Sequence, residues 1–286
     1  MTQGYIFLGV DDDDKTRNID CAYALSLSLK LADPGCETCV VVHKFEHVPK
    51  RYEGGFDYIV ELPFGRTESN HHNMYIDFWQ LYHCTPFDES MFVDTYTLAI
   101  DNIASLWDVR VFDDIVFATA CDFRGNITVD VERMETQNRN EIEGFKTGLL
   151  YFNKDIKSRE FFKMADPFFK NWRDVYRETL TEFKATDFDF TLMMNMVAAS
   201  LGENYVFPTW FEYTDLEINF LYNPEEEEEL DWLDSLNLWV TDDVTVKINN
   251  HRQTGILHYG SPRVMTADII KKLNDNFRKS TTKIKA

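Results

Sequence analysis

Short apolar runs alternate with segments of helical periodicity along the first part of the chain. Residues 5–10 form an apolar run that ends at four consecutive aspartates, which predicts a strand followed by a loop. Residues 19–31 carry alanine and leucine at helical spacing and stop before Asp33-Pro34-Gly35, a turn signal. Further apolar runs at 39–42 and 58–62 predict two more strands. Strand, helix and strand in this order predict βαβ units and an α/β fold with a largely parallel sheet.

The rest of the chain continues the pattern and shows no internal repeat or linker. The elements predicted there are a helix at 75–82, a strand at 90–93, a helical turn at 102–107, strands at 115–119 and 145–153, helical segments at 158–183 and 191–201, a strand at 244–248 and an amphipathic helix at 266–277. Residues 158–183 form one long helix or two, with Pro167 marking the break. We expect a single domain over residues 1–286, in which 266–286 are a C-terminal helix and a basic tail.

Composition and charge narrow the class of protein. An apolar share of 44% with 15% aromatic residues can supply a substantial core. There is no run of about 18 apolar residues and no signal pattern at the start, so we expect a cytoplasmic protein without a membrane partner. The net charge of −20 opposes generic binding to DNA. Five cysteines without framework spacing predict free thiols, and Cys36-x-x-Cys39 lacks the second ligand pair that a zinc site needs.

The candidate chemistry begins where the strand at 90–93 ends. The residues that follow it are Asp94, Thr95 and Tyr96. In open α/β sheets, ligands bind outside the carboxyl ends of the strands, and a carboxylate there can hold a divalent cation against phosphate oxygens. An aspartate at this position can equally cap the segment that follows it. The residues alone leave both interpretations open.

Several segments, taken in order, resemble glycosyltransferases of the GT-A fold. The pattern is glycogenin-like and closest to the variants encoded by tailed bacteriophages. The segments that carry the resemblance are the helix at 22–29, Leu62-Pro63-Phe64-Gly65, residues 85–89 leading to Asp94-x-Tyr96, residues 101–108, 144–153 and 187–195, and residues 247–259 running into His258-Tyr259-Gly260-Ser261-Pro262-Arg263. The resemblance implies a mostly parallel sheet flanked by helices and transfer of a hexosyl or pentosyl group from a nucleotide-sugar, as from a UDP-sugar.

The resemblance also implies roles for individual residues. Asp94 is expected to bind Mn²⁺ or Mg²⁺ and the ribose, with His258 as the second metal ligand. Gly260 and Arg263 are expected to contact the diphosphate. The remaining implied site residues are Val10, Asp11 and Asp12 at the nucleotide base, Thr147 and Gly148 beside the sugar, and Asp187 or Asp189 near the donor and acceptor hydroxyls.

Three departures from the family pattern change the expectations. Tyr96 replaces the second aspartate of the metal motif, Gln80 stands where a lysine or arginine often faces the donor, and Arg263 replaces a lysine. Together they leave open metal-independent catalysis, an unusual donor or a binding protein without turnover. Asp94-Thr95-Tyr96-Thr97-Leu98 also resembles the Asp-x-Asp-x-Thr motif of haloacid-dehalogenase phosphohydrolases, although Tyr96 occupies the general-acid position and the motif normally lies near the chain start.

For the acceptor, the resemblance to phage enzymes favours a hydroxymethylated pyrimidine in phage DNA, in the host cytoplasm. A protein or a glycan is the alternative acceptor. The basic residues at 278–285 favour DNA, whereas the charge of −20 argues against it. A base in duplex DNA has to be turned out of the helix to reach a bound sugar. The sequence does not indicate the oligomeric state.

Overall fold

The structure is a computed structural model that describes residues 1–10, 17–67, 73–101, 103–111, 115–122, 146–180, 188–202, 207–208, 217–220, 238–241, 245–249 and 251–284. The strands are β1 (Gln3–Leu8), β2 (Thr38–Val42), β3 (Tyr58–Glu61), β4 (Glu89–Val93), β5 (Thr97–Ile100), β6 (Ile115–Asp122), β7 (Lys146–Asn153), β8 (Phe207–Pro208), β9 (Glu217–Phe220), β10 (Leu238–Val240), β11 (Val246–Ile248), β12 (His251–Arg252) and β13 (Gly255–His258). The α-helices are α1 (Asn18–Ala32), α2 (Leu81–Cys84), α3 (Ile156–Lys170), α4 (Trp172–Thr179), α5 (Phe190–Leu201) and α6 (Ala267–Ile284). The 3₁₀ helices are Phe45–His47, Glu53–Gly55, Met74–Gln80, Ala104–Val111 and Pro262–Val264.

A ten-stranded, mostly parallel sheet forms the centre of the described structure. Its main path follows the order β3-β2-β1-β4-β7-β6-β9-β13-β5, and β8 pairs with β6. β7 runs antiparallel to both of its neighbours and β5 runs antiparallel to β13, whereas the other pairs are parallel. Strands β10, β11 and β12 form a separate antiparallel sheet. The carboxyl ends of β1, β2, β3, β4 and β13 therefore point to the same edge, where sheets of this kind bind ligands.

Different helices cover the two faces of the sheet, because successive side chains of a strand point to opposite faces. Helix α1 is buried along most of its length, since it lies between the sheet and α6. Tyr23 Oη of α1 donates to Asn274 Oδ1 of α6 at 3.1 Å. On the other face, the 3₁₀ helix Met74–Gln80 packs with α3 and α5, and the Phe78 ring lies 5.5 Å from Phe162 and 5.0 Å from Phe190.

Most of the predicted elements are confirmed with bounds shifted by a few residues. The confirmed strands are those predicted at 5–10, 39–42, 58–62, 90–93, 115–119, 145–153 and 244–248, and the confirmed helices are those at 19–31, 191–201 and 266–277, together with the helical turn at 102–107. The segment predicted as a helix at 75–82 is a 3₁₀ helix that continues into the short α2. Strands β5 and β13 were not predicted. Each has four residues and gains its order from pairing with the other.

The predicted break at Pro167 is wrong. Helix α3 continues through Pro167 to Lys170, and α4 begins after Asn171. The apolar stripe of α3 runs across the proline, since Phe161, Ala165 and Phe169 are all fully buried. The helix ends where the Asn171 main-chain N–H and its Nδ2 both donate to the Pro167 carbonyl, at 3.1 and 2.9 Å. Packing of the buried stripe therefore outweighs the local cost of the proline.

Within the described part of the chain, no helix is both long enough and apolar enough to cross a membrane.

Candidate active site

The centre of the site is Asp94, directly after β4. Residues 90–93 of β4 are buried between β1 and β7, which brings the chain out at the carboxyl edge of the sheet. The Asp94 main-chain N–H donates to the Gly148 carbonyl of β7 at 2.8 Å and extends the ladder by one residue. Asp94 is 7% exposed, so its carboxylate is largely removed from water.

Three groups surround one oxygen of the carboxylate, Oδ1. The Tyr75 hydroxyl donates to it at 2.7 Å and the Tyr96 main-chain N–H at 2.8 Å. His258 Nε2 lies 3.4 Å away, beyond the usual hydrogen-bond range. Burial alone would raise the pKa of Asp94, but His258, the Tyr75 hydroxyl and the Tyr96 amide together hold it below its ordinary value. Asp94 is therefore ionised at neutral pH.

Burial and the charge of Asp94 raise the pKa of Tyr75 well above its ordinary value. The Tyr75 hydroxyl consequently keeps its proton and remains a donor to the carboxylate. The Tyr75 ring also stacks on Phe190 at 4.9 Å, which connects Asp94 to the start of α5.

His258 reaches Asp94 because the chain turns sharply between β4 and β5. Strand β5 pairs with β13 so that Thr97 lies opposite His258, and the Tyr259 main-chain N–H donates to the Tyr96 carbonyl at 2.8 Å. Side chains of paired residues share one face of a sheet. The register therefore puts Thr97 and His258 on the same face, and the Thr97 Oγ1 atom is buried without a hydrogen-bond partner among the described residues.

Tyr96, which stands at the second position of the metal motif, connects this turn to the end of β1. Its hydroxyl donates to Asn18 Oδ1 at 2.6 Å, and Asn18 Nδ2 donates to the Val10 carbonyl at 2.6 Å. The neighbouring Thr95 hydroxyl donates to the Leu8 carbonyl. Tyr96 therefore connects the Asp94 turn to the end of β1 and the start of α1.

Two further predicted residues, Thr147 and Gly148, lie beside Asp94 on β7. Gly148 contacts Asp94 through the main chain, as above, and Thr147 is buried with its hydroxyl 2.9 Å from that of Thr191 in α5. Asp189 begins the same helix, where its Oδ1 accepts from the Leu192 N–H at 2.9 Å. The structure thus brings Thr147 and Gly148 to the Asp94 edge, while one oxygen of Asp189 caps α5.

The turn after His258 contains the predicted diphosphate contacts. Gly260 has φ +71°, a conformation that favours glycine, and it is exposed. The Ser261 hydroxyl accepts from the Arg263 N–H at 3.3 Å and begins the short 3₁₀ helix. The Arg263 side chain is exposed to solvent beside this turn. A flexible cation and a glycine next to His258 are compatible with an anionic ligand.

Some predictions cannot be compared with the geometry. Asp11, Asp12 and Asp187 lie outside the described residues. Gln80 is fully buried, and its amide bonds the loop after β3 rather than any of the residues around Asp94. The roles of all the site residues stay predictions.

Sequence reasoning missed Tyr75 and Asn18 as site residues, whereas it had already paired Tyr259 with His258. Each reaches the Asp94 turn only through contacts between distant parts of the chain. The one available signal was the position of Asn18 at the first turn of α1, immediately after the loop that follows β1.

The cysteines give no metal centre in the described part of the chain. Burial and nearby Asp33 raise the pKa of Cys36 to about 12, and burial raises that of Cys39 well above its ordinary value. Both thiols therefore keep their protons at neutral pH. No group of three or more His, Cys, Asp or Glu side chains able to hold a metal occurs among the described residues, at Asp94 or elsewhere.

Comparison with known proteins gives the fold a name. No protein-family model and no curated protein sequence matches the chain. Among solved structures, the chain is similar to the galactosyltransferase LgtC in complex with donor and acceptor sugar analogues. The match covers 96% of this chain and 95% of LgtC, at 15% identity and a TM-score of 0.55. It is also similar to mouse xyloside xylosyltransferase 1 in its apo form. That match covers 93% of this chain and 100% of the mouse protein, at 11% identity and a TM-score of 0.52.

The glycosyltransferase GlyE of Streptococcus pneumoniae TIGR4 matches 98% of this chain over 64% of its own, at 14% identity and a TM-score of 0.50. Identities this low establish the fold and nothing finer. Asp94 follows the fourth strand along the described chain. The predicted fold class is therefore confirmed: the chain is an α/β protein with the GT-A fold of glycosyltransferases, a mostly parallel sheet flanked by helices.

Proposed function

We propose that the protein is a glycosyltransferase that moves a hexosyl or pentosyl group from a nucleotide-sugar, as from a UDP-sugar, to an acceptor hydroxyl. The observation that supports this most is the pairing of an ionised Asp94 with His258 at the carboxyl edge of a GT-A sheet. Ligands of open α/β sheets bind at this edge. The structural neighbours that share the fold are sugar transferases.

The donor would lie across the carboxyl ends of β1 and β13. Val10 is fully buried and its carbonyl is bonded to Asn18, so it would meet the nucleotide base through its main chain, with Asp11 and Asp12 after it in sequence. Gly260 allows the main chain to approach a diphosphate closely, and Arg263 offers a guanidinium that suits phosphate oxygens. The Tyr96–Asn18–Val10 connection would hold the Asp94 turn and the end of β1 in a fixed relation, which lowers the entropic cost of ordering them around the donor.

A divalent cation, Mn²⁺ or Mg²⁺, fits the donor set at Asp94. The Asp94 carboxylate and the His258 imidazole nitrogen, 3.4 Å apart, would hold the ion. The ion would supply stabilisation of the charge that develops on the departing diphosphate. Two protein ligands are few for a hard cation, since Tyr96 brings no second carboxylate. Oxygens of the donor diphosphate would complete the coordination.

The protein's own groups would then orient the reaction. Thr147 and Gly148 line the β7 side of the Asp94 turn and would contact the transferred sugar. Asp189, at the start of α5, and Asp187 before it would accept hydrogen bonds from donor or acceptor hydroxyls. Tyr75 would keep Asp94 ionised and fixed. Burial around Asp94 would limit access of water and so favour transfer over hydrolysis.

For the acceptor we retain two candidates. The phage-type, glycogenin-like resemblance favours a hydroxymethylated pyrimidine in phage DNA, with the basic residues of α6 as its support and a host-cytoplasmic setting. The net charge of −20 opposes that candidate and favours a saccharide or protein acceptor. A gel shift with hydroxymethylcytosine DNA at low salt separates them, because absence of binding there removes the DNA acceptor.

The second candidate function is a binding protein without turnover. Its support is Tyr96, whose hydroxyl bonds Asn18 where the family pattern has a second carboxylate. Such a protein would bind the nucleotide-sugar and release no nucleotide diphosphate. Measured release with any donor would exclude this candidate.

The experiment that tests the main proposal is a thermal-shift panel of nucleotide diphosphates and nucleotide-sugars, each with and without Mn²⁺. A ligand at 100 times its dissociation constant stabilises the folded state by about 2.7 kcal/mol, which is easily measured. We expect a Mn²⁺-dependent shift with one nucleotide. The shift should be lost in Asp94→Asn and kept in Asp174→Asn, an exposed aspartate paired with Arg177.

Two substitutions at the same position examine the metal. Tyr96→Asp introduces the missing carboxylate and should enlarge the Mn²⁺-dependent part of the shift, whereas Tyr96→Phe should not. A wild-type protein that no nucleotide stabilises, with or without Mn²⁺, would contradict the proposed function.

A further inference from the structure

The loop after β3, residues 62–67, is fixed by two buried polar side chains. We refer to it as the β3 loop. Gln80, fully buried, accepts from the Phe64 N–H at 3.1 Å and donates from Nε2 to the Gly65 carbonyl at 2.8 Å. Asp77, also fully buried, accepts from the Thr67 N–H at 2.7 Å and pairs with Arg66 at 2.9 Å. Burying a carboxylate and an amide is costly unless they are well bonded, so the β3 loop is held in one conformation.

The β3 loop forms one wall of a cavity of about 310 Å³. The cavity is lined by Phe64, Gly65, Arg66, Thr67, Trp79 and Lys170. This volume is at the low end of the ~300–1,000 Å³ range of small-molecule sites, which suits a sugar ring better than a polymer chain.

Aromatic rings and cationic donors face this cavity together. The Phe64 ring is 61% exposed and stacks on Trp79 at 5.4 Å with an interplanar angle of 9°. Lys170 Nζ lies 4.2 Å from the Trp79 centroid, and Trp79 Nε1 donates to Thr67 Oγ1 at 3.3 Å. The exposed Phe64 ring offers an apolar face on which the C–H face of a ligand can pack. The flanking ammonium pairs with Asp166 and the guanidinium with Asp77, and each group carries further N–H donors that can reach hydroxyl oxygens.

The cavity lies at the same edge of the sheet as Asp94. Strands β3 and β4 are parallel members of one sheet, so the β3 loop and Asp94 both follow carboxyl ends. The 3₁₀ helix Met74–Gln80 connects them, because Tyr75 contacts Asp94 and Trp79 contacts the cavity. Strand β3 lies three positions from β4 in the sheet, and three inter-strand spacings of about 4.8 Å separate their carboxyl ends by about 14 Å. A ligand in the cavity therefore lies at the same edge as Asp94 without occupying the reacting centre.

We propose that this cavity is a binding subsite for a pyranose ring of a saccharide acceptor, one or more sugar units away from the hydroxyl that is glycosylated. The apolar C–H face of the sugar packs on Phe64, and its hydroxyl oxygens accept from Lys170 and Arg66. Binding energy from a remote part of the substrate can position the reacting part. The proposal rests on the proposed glycosyltransferase function and commits its acceptor to a saccharide.

The test is saturation-transfer-difference NMR on the full-length protein without nucleotide, with methyl glucopyranoside, maltose and lactose as probes at millimolar concentration. We expect saturation to reach the ring C–H protons of at least one probe. Phe64→Ala should weaken that binding by roughly tenfold, the upper range for loss of an aromatic contact. Phe45→Ala is the matched control, since Phe45 is a comparably exposed phenylalanine (54%) outside the cavity.

The outcomes separate this proposal from the proposed function. Absence of transfer to all three probes, or unchanged transfer in Phe64→Ala, overturns the saccharide subsite. The nucleotide thermal shift is measured on the same samples and should be equal in wild type and Phe64→Ala. Loss of sugar binding with the nucleotide shift retained supports a separate acceptor subsite. Lys170→Met gives a second variant, and we expect it to weaken the same probe while leaving the nucleotide shift unchanged.

Discussion

At the scale of single residues, the state of one carboxylate decides what the site can bind. Asp94 is buried, yet its pKa lies below the ordinary value because His258, Tyr75 and the Tyr96 amide favour the ionised form over the cost of burial. A neutral Asp94 would be a poor cation ligand. The neighbours of Asp94 therefore contribute to the proposed chemistry without touching a substrate.

We predict that Tyr75→Phe destabilises the protein by about 1–3 kcal/mol at neutral pH, because a buried charged acceptor loses a donor. The pKa of Asp94 should rise, since one of the contacts that lower it is removed. A carboxyl group whose pKa is lower in the folded state stabilises the fold at pH values above its unfolded-state pKa of about 3.9. That stability is lost as the pH falls through the folded-state pKa. The difference between variant and wild type should therefore shrink towards acid pH in urea-unfolding curves.

The matched control for this prediction is Tyr176→Phe. It removes the hydroxyl of another buried tyrosine, one that bonds the main chain of Asp189 rather than a carboxylate. That variant should not change the Asp94 pKa measured by carboxyl ¹³C NMR. Equal stability of Tyr75→Phe and wild type at all pH values would disprove the role given to Tyr75.

The contacts of a single side chain also show what Tyr96 does at the position where the family pattern has a second aspartate. An aspartate there would add a metal ligand, whereas the tyrosine reaches Asn18 and, through it, the end of β1. Tyr96 therefore adds no charge to the site, but it fixes the Asp94 turn relative to the end of β1. Under the proposed function, cation binding here should depend more strongly on the donor diphosphate than in a site whose metal motif has two carboxylates.

At the scale of elements, helix α3 shows how packing overrides a local signal. Pro167 lacks an N–H and crowds the preceding turn, which costs about 3 kcal/mol in a helix interior. The buried stripe of Phe161, Ala165 and Phe169 nevertheless keeps the helix intact to Lys170. Asn171, a residue typical of helix ends, determines where the helix stops.

We predict that Pro167→Ala stabilises the protein by about 2 kcal/mol. The substitution restores a helical hydrogen bond, and the loss of proline's restriction of the unfolded chain offsets this by about 0.4–1 kcal/mol. Pro167 is exposed, so no core contact is removed. Urea unfolding measures the effect, and Lys163→Ala, an exposed position in the same helix, should stay within about 0.5 kcal/mol of wild type. A destabilised Pro167→Ala would show that the proline stabilises α3.

How much the sequence predicts also depends on the element. Strands β1 and β4 coincide with apolar runs, so the local pattern of the sequence predicts them. The same pattern predicts that Asp94 lies at the end of β4. Strands β5 and β13 have four residues each, and their order comes from pairing across more than 150 residues of chain. Tyr75 and Asn18 join the site through equally non-local contacts, which no local periodicity encodes. His258 and Gly260 were found only through a family resemblance.

At the scale of the whole molecule, the sheet is covered on each face by helices from distant parts of the chain. The C-terminal helix α6 packs on α1, and α1 packs on the sheet. Three side chains of α6, Ile269, Ile270 and Leu273, are buried in this layer. The proposed single domain therefore predicts that α6 unfolds together with the sheet instead of behaving as an appended tail.

We predict that Ile269→Ala lowers the free energy of unfolding by about 2–5 kcal/mol, the cost of a cavity in a packed core. Ile156→Ala is the matched control, because Ile156 also lies near the start of a helix but is 62% exposed, and it should change stability by less than about 0.5 kcal/mol. Circular dichroism and tryptophan fluorescence should report one coincident transition at a lower urea midpoint in Ile269→Ala. Two separated transitions, with the second at the wild-type midpoint, would mean that α6 folds independently and that the sheet forms without it.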